Sequence, residues 1–544
     1  MNRVPVPATP VDSAPDLVTE RLGGRRVPVP ELVLAEIAAS GAEVLTDEAS
    51  RVDAGRDWWP LGIAWAFRGQ VPARAAAVVR PSSTDQVARI LASCSSAGIP
   101  VTPMAGRSGV CGGAVPLFGG IALDLTGLTG PVIVDETSLI ADVPAGMFGP
   151  DLESELRSRG TGYTLGHWPQ SMELSTVGGW LACRGAGQLS TRYGKIEDMV
   201  MGLEVVLADG RVVRTEGRGP RAATGPNLTQ LFLGCEGTLG VITKARLRLH
   251  PRPPATDRRA FGFPSFAAGL DACRRILRRG ATPAVLRLYD EVESERNFGL
   301  AGACALVVLD EADPGLLAAT LAVVDEECDP ADPSDPGREG APGGERAAER
   351  LGDDLVDHWL AQRNDVSALV PLWRAGVVVD TVEVSGRWAV LDRLADHVLA
   401  GLRAIPGTVV ASVHESHAYP EGACLYFTFA GRDPEEPGPI PVPGSAGAPR
   451  ALPEARPSGA PGSLAWQEAY YRLAWDTVMA VAERHGAAIS HHHGIGLNRA
   501  RFMTGSLGGE LDVLGALKRA LDPAGILNPG KLGLPTGLGE APWP

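Results

Sequence analysis

Three short segments rich in glycine and other small residues constrain the fold of this chain more than any other feature of its sequence. They are residues 104–113, 175–180 and 234–242. Because such segments carry few bulky side chains, their backbone N–H groups can approach and cradle the phosphates of a ligand. Each segment alone is weak evidence, and the first matches neither a Walker A motif nor a Rossmann fingerprint. Three such loops in one region predict a single extended ligand.

The residues around the first loop predict alternating strands and helices. The four residues from Ser83 have the Ser-x-x-Gln form of a capping box, which favours a helix start, and Gly98 stands where a left-handed cap ends a helix. Residues 99–102 then predict a strand that leads into the loop. Further on, Asp209-Gly210 is typical of a type I′ hairpin turn, in which both central residues have positive φ.

The length of the chain predicts several domains, because 544 residues are too many for one hydrophobic core. Two segments rich in proline and glycine offer little apolar surface, and we expect them to be disordered insertions. The expected units are a helical or irregular N-terminal extension (1–70), an α+β domain (71–252), a second domain (253–485) with the insertions 329–344 and 432–463, and a C-terminal segment (486–544) that closes the site.

Composition argues against several classes of partner. The chain has 50 basic and 64 acidic residues, a net charge of −14, and no basic run that could follow a nucleic acid backbone. No stretch approaches the roughly 18 to 20 continuous apolar residues of a membrane span. The eight cysteines are scattered, and the first thirty residues lack the apolar block of a secretory signal. We therefore expect a cytoplasmic protein without nucleic acid or a membrane span.

The run His491–His493, followed by Gly-Ile-Gly, predicts an active-site role. Adjacent imidazoles repel each other when they are charged together, so a solvated turn explains them poorly. In extended backbone the first and third histidines would face one side. Zinc binding by the run alone is disfavoured because neighbouring residues on a strand cannot all reach one metal. His414 and His417 could complete a metal site, and this alternative stays open.

Several motifs together resemble the flavoproteins of the vanillyl-alcohol oxidase type, from about residue 75 to the C-terminus. Within them the chain is most similar to the alkyldihydroxyacetonephosphate synthases, a family of ether-lipid enzymes. The motifs are TLGHWPQS at 164–171, STVGGW at 175–180, YGKIED at 193–198, GACLYF at 422–427 and SHHHGIG at 490–496. The resemblance implies an α+β fold, with an FAD-binding domain of the vanillyl-alcohol oxidase type and an α/β cap domain.

The same resemblance implies where FAD binds. The residues expected at the phosphates are Ala105, Gly106, Arg107, Ser108, Gly109 and Val110. Those expected near the flavin and its ribityl chain are Ser175, Thr176, Gly178 and Gly179, whereas Glu236 and Ile242 are expected nearer the adenine. Because the ether-lipid branch binds FAD without a covalent bond, we expect dissociable FAD.

The resemblance also implies a catalytic group. Tyr426 lies in an apolar strand, where spacing alone would favour a core tyrosine, but the base that abstracts a proton in this family falls on this position. A phenol with a pKa of about 10 needs nearby positive charge to act as a base, which we expect from His491, His492 and His493. His167 belongs to the implied site. So does Arg287, which is costly among apolar neighbours unless it faces a ligand or a carboxylate.

One departure from the family pattern concerns phosphate recognition. Leu369 occupies the place of the arginine that grips the substrate phosphate, and Arg363 and Arg374 lie near but out of register. Loss of a bidentate clamp removes much of the affinity for a phosphate ester. We therefore expect a small-molecule or lipid-like substrate other than the phosphate ester of the family.

Three classes of function remain at this point. The resemblance implies the exchange of an acyloxy group for an alcohol through a flavin–substrate adduct, without net oxidation. The alternative is an FAD-linked oxidase or dehydrogenase of a hydroxy acid or a specialised metabolite, although His492 replaces a glutamate of the D-lactate branch. A non-catalytic flavin-fold protein is disfavoured because Tyr426 and the histidine run are present. A homodimer is possible.

Overall fold

The computed structural model describes residues 10–215, 219, 221–328, 348–365, 369–435 and 463–542. The expected insertion 329–344 lies outside the described residues, and so does most of the insertion 432–463. Within the described ranges, no helix is both long and apolar enough to cross a bilayer.

The N-terminal residues form short helices and strands rather than a loose extension. In chain order these elements are β1 (Thr19–Glu20), α1 (Glu31–Ala39), β2 (Glu43–Leu45), α2 (Glu48–Asp53), α3 (Pro60–Ala66) and β3 (Gln70–Val71). Trp59 and Trp65 at the two ends of α3 are fully buried, and their rings meet edge to face with centroids 5.2 Å apart. This part of the chain is therefore packed into the body of the protein.

The next part of the chain forms two larger sheets and one two-stranded sheet. The elements are β4 (Ala77–Arg80), α4 (Thr84–Ala97), β5 (Val101–Met104), β6 (Ile121–Asp124), β7 (Ile133–Asp135), β8 (Ile140–Pro144), α5 (Gly149–Arg157), β9 (Tyr163–Thr164), α6 (Val177–Cys183), α7 (Ser190–Tyr193), α8 (Ile196–Met199), β10 (Val200–Val206), β11 (Val212–Arg214), α9 (Leu228–Phe232), β12 (Val241–Arg248) and β13 (His250–Pro251). One larger sheet has the order β2-β4-β6-β5, and the other has the order β11-β10-β12-β8-β7.

Local sequence signals in this part are mostly confirmed. Ser83 caps α4 by accepting a hydrogen bond from the amide of Gln86, and Gly98 ends the helix with a φ of 65°. The hairpin between β10 and β11 forms around Asp209-Gly210 as predicted, but the predicted type I′ turn is wrong. Gly210 has a positive φ and Asp209 does not, because a five-residue connection between Val206 and Val212 needs only one left-handed residue.

The remaining part is built on a seven-stranded antiparallel sheet. Its elements are β14 (Ala255–Phe263), α10 (Phe266–Arg278), β15 (Val285–Tyr289), α11 (Glu291–Phe298), β16 (Cys304–Ala312), α12 (Pro314–Cys328), β17 (Glu349–Leu351), α13 (Asp354–Gln362), α14 (Val370–Arg374), β18 (Val378–Arg387), α15 (Trp388–Arg403), β19 (Thr408–Tyr419), β20 (Gly422–Gly431), α16 (Leu464–Arg484), α17 (Met503–Leu507) and α18 (Gly509–Leu521). The strand order is β17-β14-β16-β15-β19-β20-β18.

The C-terminal residues return to the first glycine-rich loop. Leu527 forms a parallel bridge with Val101 at the end of β5. The side-chain amide of Asn528 donates to the carbonyls of Gly113 and Glu236, at 3.1 and 2.7 Å. Two of the three small-residue loops are thereby joined through one side chain, which holds them in a fixed relation to each other.

Candidate active site

One large cavity brings the three small-residue loops together with the face of the seven-stranded sheet. Its volume is about 2300 Å³. All twelve residues expected to contact the cofactor line it, as do Tyr426, His492, His493 and Arg287. A site for one small molecule usually measures about 300–1,000 Å³, so this cavity has room for a large cofactor and a substrate together.

The first loop presents free backbone amides to this cavity. The N–H groups of Ser108, Gly109 and Val110 donate no hydrogen bond to any residue that the structure describes. The loop is close-packed from behind, because a Cβ on Gly106 would lie 2.1 Å from the carbonyl oxygen of Leu174. Unpaired amides that line a cavity are suited to accept phosphate oxygens, so the loop fits the expected pyrophosphate.

Two of the expected cofactor residues have structural partners of their own. Arg107 has a positive φ of 52°, and its guanidinium pairs with the Asp53 carboxylate at 2.6 Å. The hydroxyl of Thr176 caps α6 by accepting from the amide of Gly179. These contacts fix the loops, and the backbone beside them remains open to the cavity.

Glu236 connects the third loop to the segment after the histidine run. Its carboxylate accepts hydrogen bonds from the amides of Ile495 and Gly496, at 2.5 and 2.8 Å. Burial raises the pKa of Glu236, although the two amides oppose this effect. A direct contact between Glu236 and a cofactor remains a prediction, since both carboxylate oxygens already accept a hydrogen bond.

The hydroxyl of Tyr426 lies between two imidazoles. Tyr426 is on β20, and its Oη lies 2.5 Å from Nε2 of His492 and 3.2 Å from Nε2 of His493. Burial raises the pKa of Tyr426 well above its ordinary value. Tyr426 is only 9% exposed, but it lines the cavity, and its role as the base stays a prediction.

A buried carboxylate holds the histidine run in place. Glu383, on β18, accepts hydrogen bonds from the amides of His491, His492 and His493, at 2.5, 3.3 and 2.8 Å. Arg499 pairs with the same carboxylate at 2.8 Å, and both side chains are fully buried. Burial alone would raise the pKa of Glu383, but the Arg499 guanidinium holds it far below its usual value.

Two expectations about the histidine run are wrong. The residues form a bend around Glu383 rather than a strand, so the second and third imidazoles reach Tyr426 together and the first turns away to Tyr419. The imidazoles do not supply positive charge either. Burial lowers the pKa of His491 to about 3 and of His493 to about 4, and it lowers the pKa of His492 well below its ordinary value.

His414 links Tyr426 to Arg287. Its ring lies parallel to the Tyr426 ring, with centroids 4.9 Å apart. Its Nδ1 lies 2.8 Å from the Glu293 carboxylate, and a guanidinium N–H of Arg287 donates to its Nε2 at 2.7 Å. Since Nε2 accepts, Nδ1 carries the proton and donates to Glu293. Burial lowers the pKa of His414, consistent with a neutral ring.

Arg287 faces the cavity rather than a carboxylate. Its guanidinium lies 5.4 Å from the ring centre of Tyr289 and 5.9 Å from that of Trp359. Its Nε has no hydrogen-bond partner in the part of the chain that the structure describes. Among the described residues Arg287 pairs with His414 and not with the expected carboxylate, and its contact with a ligand stays a prediction.

Two residues expected at the site are not in contact with the cavity. His167 is fully buried against Trp180, with ring centres 4.7 Å apart, and neither ring nitrogen has a partner among the described residues. Burial lowers the pKa of His167 to about 3. His491 also lies outside the set of lining residues. It is joined instead to His417 and His492, since ligand atoms of these three rings lie within 4.8 Å of one another. His414 does not belong to this group.

The N-terminal part of the chain supplies a wall that sequence patterns do not reveal. Ile63 and Phe67, in and directly after α3, line the cavity, as do Leu369 and Val410. Leu369 therefore contributes to the cavity wall as a hydrophobic group. The guanidinium of Arg374 is stacked over Phe67 at 4.3 Å and pairs with Asp12.

Comparisons with known proteins agree with this arrangement. Residues 75–216 match the model of an FAD binding domain, and residues 252–441 and 459–532 match the model of the C-terminal domain of FAD linked oxidases. An uncharacterized FAD-linked oxidoreductase, YgcU of Escherichia coli O157:H7, is 29% identical over 84% of this chain and 88% of its own length. The alkyldihydroxyacetonephosphate synthase of Dictyostelium discoideum is 28% identical over 86% of this chain and 74% of its own length. A solved structure of an alkyldihydroxyacetonephosphate synthase superposes with a TM-score of 0.70 at 23% identity, covering 97% of this chain and 90% of that one.

Proposed function

Since the chain belongs to the FAD-dependent flavoenzymes of the vanillyl-alcohol oxidase type, we propose that it exchanges an acyloxy group for an alcohol on a lipid-like substrate, with Tyr426 as the proton-abstracting base. The observation that carries this proposal is the position of the Tyr426 hydroxyl. It faces the cavity and is held by two imidazoles, at 2.5 and 3.2 Å.

The loops described above would hold the FAD. The free amides of residues 108–110 would receive its phosphates, and Gly178 and Gly179 would allow a close approach to the flavin. When bound, FAD supplies an electrophilic, electron-accepting centre next to the substrate. We propose that the FAD is dissociable, as the resemblance to the ether-lipid branch implies.

The chain's own residues would transfer the proton, bind the substrate oxygen and orient the imidazoles. Tyr426 would take a proton from the carbon beside the substrate carbonyl, while His493 donates to the phenol oxygen through Nε2. Arg287, anchored by His414, would donate hydrogen bonds to a substrate oxygen in the cavity. The buried bend around Glu383 would keep both imidazoles oriented towards Tyr426.

The shape of the cavity supports a lipid-like substrate without phosphate. Ile63, Phe67, Leu369 and Val410 are among the residues that line it, and apolar lining residues suit an acyl or alkyl chain. The residue at the expected clamp position is leucine, and Arg374 already pairs with Asp12. We infer that the preferred substrate is an acyl ester of a small hydroxyketone rather than of its phosphate.

A second candidate is an FAD-linked oxidoreductase. It is favoured by the name of the Escherichia coli relative, which matches this chain over most of both lengths. In that case Tyr426 would still remove a proton, and the substrate would be oxidised. The predicted homodimer and the predicted cytoplasmic location apply equally to both candidates.

Anaerobic mixing with substrate distinguishes the exchange reaction from the oxidoreductase. The holoenzyme is mixed with palmitoyl-dihydroxyacetone and hexadecanol while the flavin absorbance is followed. Product formation with the flavin spectrum oxidised at the end supports the exchange, whereas stable bleaching that an added acceptor reverses supports the oxidoreductase. The variant Tyr426→Phe should abolish turnover with unchanged FAD content, and near-normal turnover in it would return this tyrosine to a structural role.

A further inference from the structure

A row of hydrogen bonds continues behind Tyr426 through five more side chains. The successive contacts are Tyr426 Oη to His492 Nε2 (2.5 Å), His492 Nδ1 to His491 Nδ1 (2.9 Å), His491 Nε2 to Tyr419 Oη (3.1 Å), Tyr419 Oη to Ser190 Oγ (3.2 Å) and Ser190 Oγ to His417 Nδ1 (2.8 Å). The chain of contacts joins β20, the histidine bend, the end of β19 and the start of α7.

Every group in this row can donate one proton and accept another. A neutral imidazole has one N–H and one acceptor nitrogen, and a hydroxyl has one proton and free lone pairs. If Tyr426 donates to His492, then His492 donates through Nδ1, His491 through Nε2, and so on to Nδ1 of His417. All five contacts are satisfied in one direction, and they are equally satisfied when every proton shifts by one place.

The groups are held in their neutral forms. Burial lowers the pKa of His491 to about 3, and it lowers the pKa of His417 and His492 well below the ordinary value. Burial also raises the pKa of Tyr419. Because burial disfavours the charged form of these groups, and each bond in the row can reverse its direction, the row favours transfer in which all members pass a proton on together.

Both ends of the row lie in the same cavity. Tyr426 and His417 line it, and His417 keeps its Nε2 for a ligand because Nδ1 is engaged with Ser190. His491, Tyr419 and Ser190, in the middle, are not among the lining residues. The row thus leaves the cavity at the phenol and returns to it at an imidazole.

We propose that these six side chains form a proton wire that carries the proton taken up at Tyr426 to His417, and back again. The proposal rests on the role of Tyr426 as the base. In the forward step the substrate carbon gives its proton to Tyr426, each member passes one on, and Nε2–H of His417 protonates the departing carboxylate. The electron pair of the C–H bond would be held by the electron-accepting centre that bound FAD supplies and returned to the carbon in the reverse step, while the carboxylate takes the pair of the C–O bond that breaks.

The reverse step restores the starting state. The incoming alcohol gives its proton to Nε2 of His417 as its oxygen bonds to the substrate, the wire shifts back, and Tyr426 returns a proton to the carbon. Each member ends with the protons it began with. An exchange without net release of protons is the reaction that such a closed wire serves, since no bulk water is needed at either end.

The middle of the wire offers the sharpest variants, because Tyr419 and Ser190 do not line the cavity. Tyr419→Phe and Ser190→Ala each break one contact. We expect kcat to fall about a hundredfold, with KM and FAD content unchanged, and the solvent isotope effect to fall with it. Tyr470→Phe is the matched control, since its buried hydroxyl bonds to Thr408 at 2.9 Å away from the wire. This control should keep kcat and the isotope effect.

The outcomes separate the wire from the base. If Tyr426→Phe is inactive while Tyr419→Phe and Ser190→Ala turn over palmitoyl-dihydroxyacetone normally, this result supports Tyr426 as the base and overturns the wire. If Tyr426→Phe is active, the assignment of Tyr426 as the base is itself wrong. An FAD content that falls in the same proportion as kcat would also overturn the wire, and so would a clearly lowered melting temperature. In either case the hydroxyls would act through folding.

A measurement without substrate tests the same proposal. In holoenzyme labelled with ¹⁵N-histidine, NMR should find His491, His492 and His417 neutral between about pH 6 and 9, and the tautomer of His491 should change in Tyr419→Phe. An imidazolium at any of the three positions would overturn the wire. So would stoichiometric zinc in the purified protein that is lost in His417→Gln, because a metal would occupy the nitrogens through which the proton must pass.

Discussion

The ring of His414 lies parallel to that of Tyr426, with the ring planes at 11° to each other. The same imidazole bonds to Glu293 through Nδ1 and accepts from Arg287 through Nε2. The hydroxyls of Ser412 and Thr428 also donate to Glu293, at 2.9 and 3.0 Å. A buried carboxylate therefore fixes the tautomer of His414, and His414 fixes both the ring plane of Tyr426 and the direction of Arg287.

Replacing His414 by phenylalanine should separate these roles. His414→Phe keeps a ring against Tyr426 but removes both nitrogens, so Arg287 loses its anchor. We expect kcat to fall about tenfold to a hundredfold, because small displacements of a positioning group have effects of that size, with FAD content unchanged. His397→Phe is the control, since His397 bonds to His485 at an exposed position. Normal turnover in His414→Phe would show that Arg287 needs no anchor.

Glu383 should be more important for stability than any surface carboxylate. Glu383→Gln leaves the fully buried Arg499 without its charge partner, and breaking a buried pair in this way costs about 3–5 kcal/mol of unfolding free energy. Glu43→Gln breaks the exposed pair with Arg80, for which about 0–1 kcal/mol is expected. Denaturant titration of both variants, with FAD bound, compares them. Equal losses would mean that Arg499 finds another partner.

The three small-residue loops could be located from sequence because runs of glycine and other small residues are visible within a few positions. The twelve cofactor residues that the resemblance implied within them all line one cavity, and their contact with FAD stays a prediction. Glu383 could not be assigned a role in this way. Its carboxylate meets amides more than a hundred positions away, and neither its residue type nor its neighbours on β18 indicate that contact. The anchoring of His493 and the orientation of Tyr426 depend on it.

The N-terminal wall and the charge of the histidines were missed for related reasons. The sequence of α3 is apolar throughout, which predicts burial but not a cavity on one side. The histidine run suggests positive charge because free imidazoles titrate near neutral pH. Their neutral form in the structure results from burial, which depends on how the distant β18 and β20 cover them.

Asp380 should make stability depend on pH below neutrality. Burial raises its pKa to about 6, although Tyr471 and Trp475 donate hydrogen bonds to it. The unfolded chain has an Asp pKa of about 3.9, so between these values the folded state holds a proton that the unfolded state releases. The contribution of Asp380 to the unfolding free energy is therefore greatest below about pH 4 and falls by about 3 kcal/mol as pH rises through 6.

Melting temperatures of Asp380→Asn and the parent protein between about pH 4 and 7 test this assignment. The decline with rising pH should be shallower in Asp380→Asn, which cannot titrate. Asp476→Asn, at a partly exposed pair with Arg501, should keep the slope of the parent protein. Parallel curves for Asp380→Asn and the parent would assign the slope to other groups.

The purified protein should be yellow and should release intact FAD when it is precipitated with acid or heat. Gly106→Ala should lower its flavin content, because the added Cβ would meet the carbonyl oxygen of Leu174 and push the phosphate loop from its place. Gly299→Ala is a control with a free Cβ position in a surface helix cap, although its positive φ costs some stability. Colour that stays with the precipitate would contradict dissociable FAD.

Leu369 leads to the last prediction. A phosphate ester in a buried cavity needs fixed donors, and a doubly charged group left unpaired in low dielectric costs several kcal/mol. In this chain an apolar side chain lines the cavity at the clamp position, and Arg374 is engaged with Asp12 and Phe67. We therefore expect kcat/KM for palmitoyl-dihydroxyacetone to exceed that for its phosphate, and Leu369→Arg to reduce or reverse this preference. Leu369→Met, which keeps the apolar volume, should leave it unchanged. A strong preference for the phosphate ester that disappears in Arg363→Ala or Arg374→Ala would show that one of these arginines is the clamp, and that the substrate is the phosphorylated one.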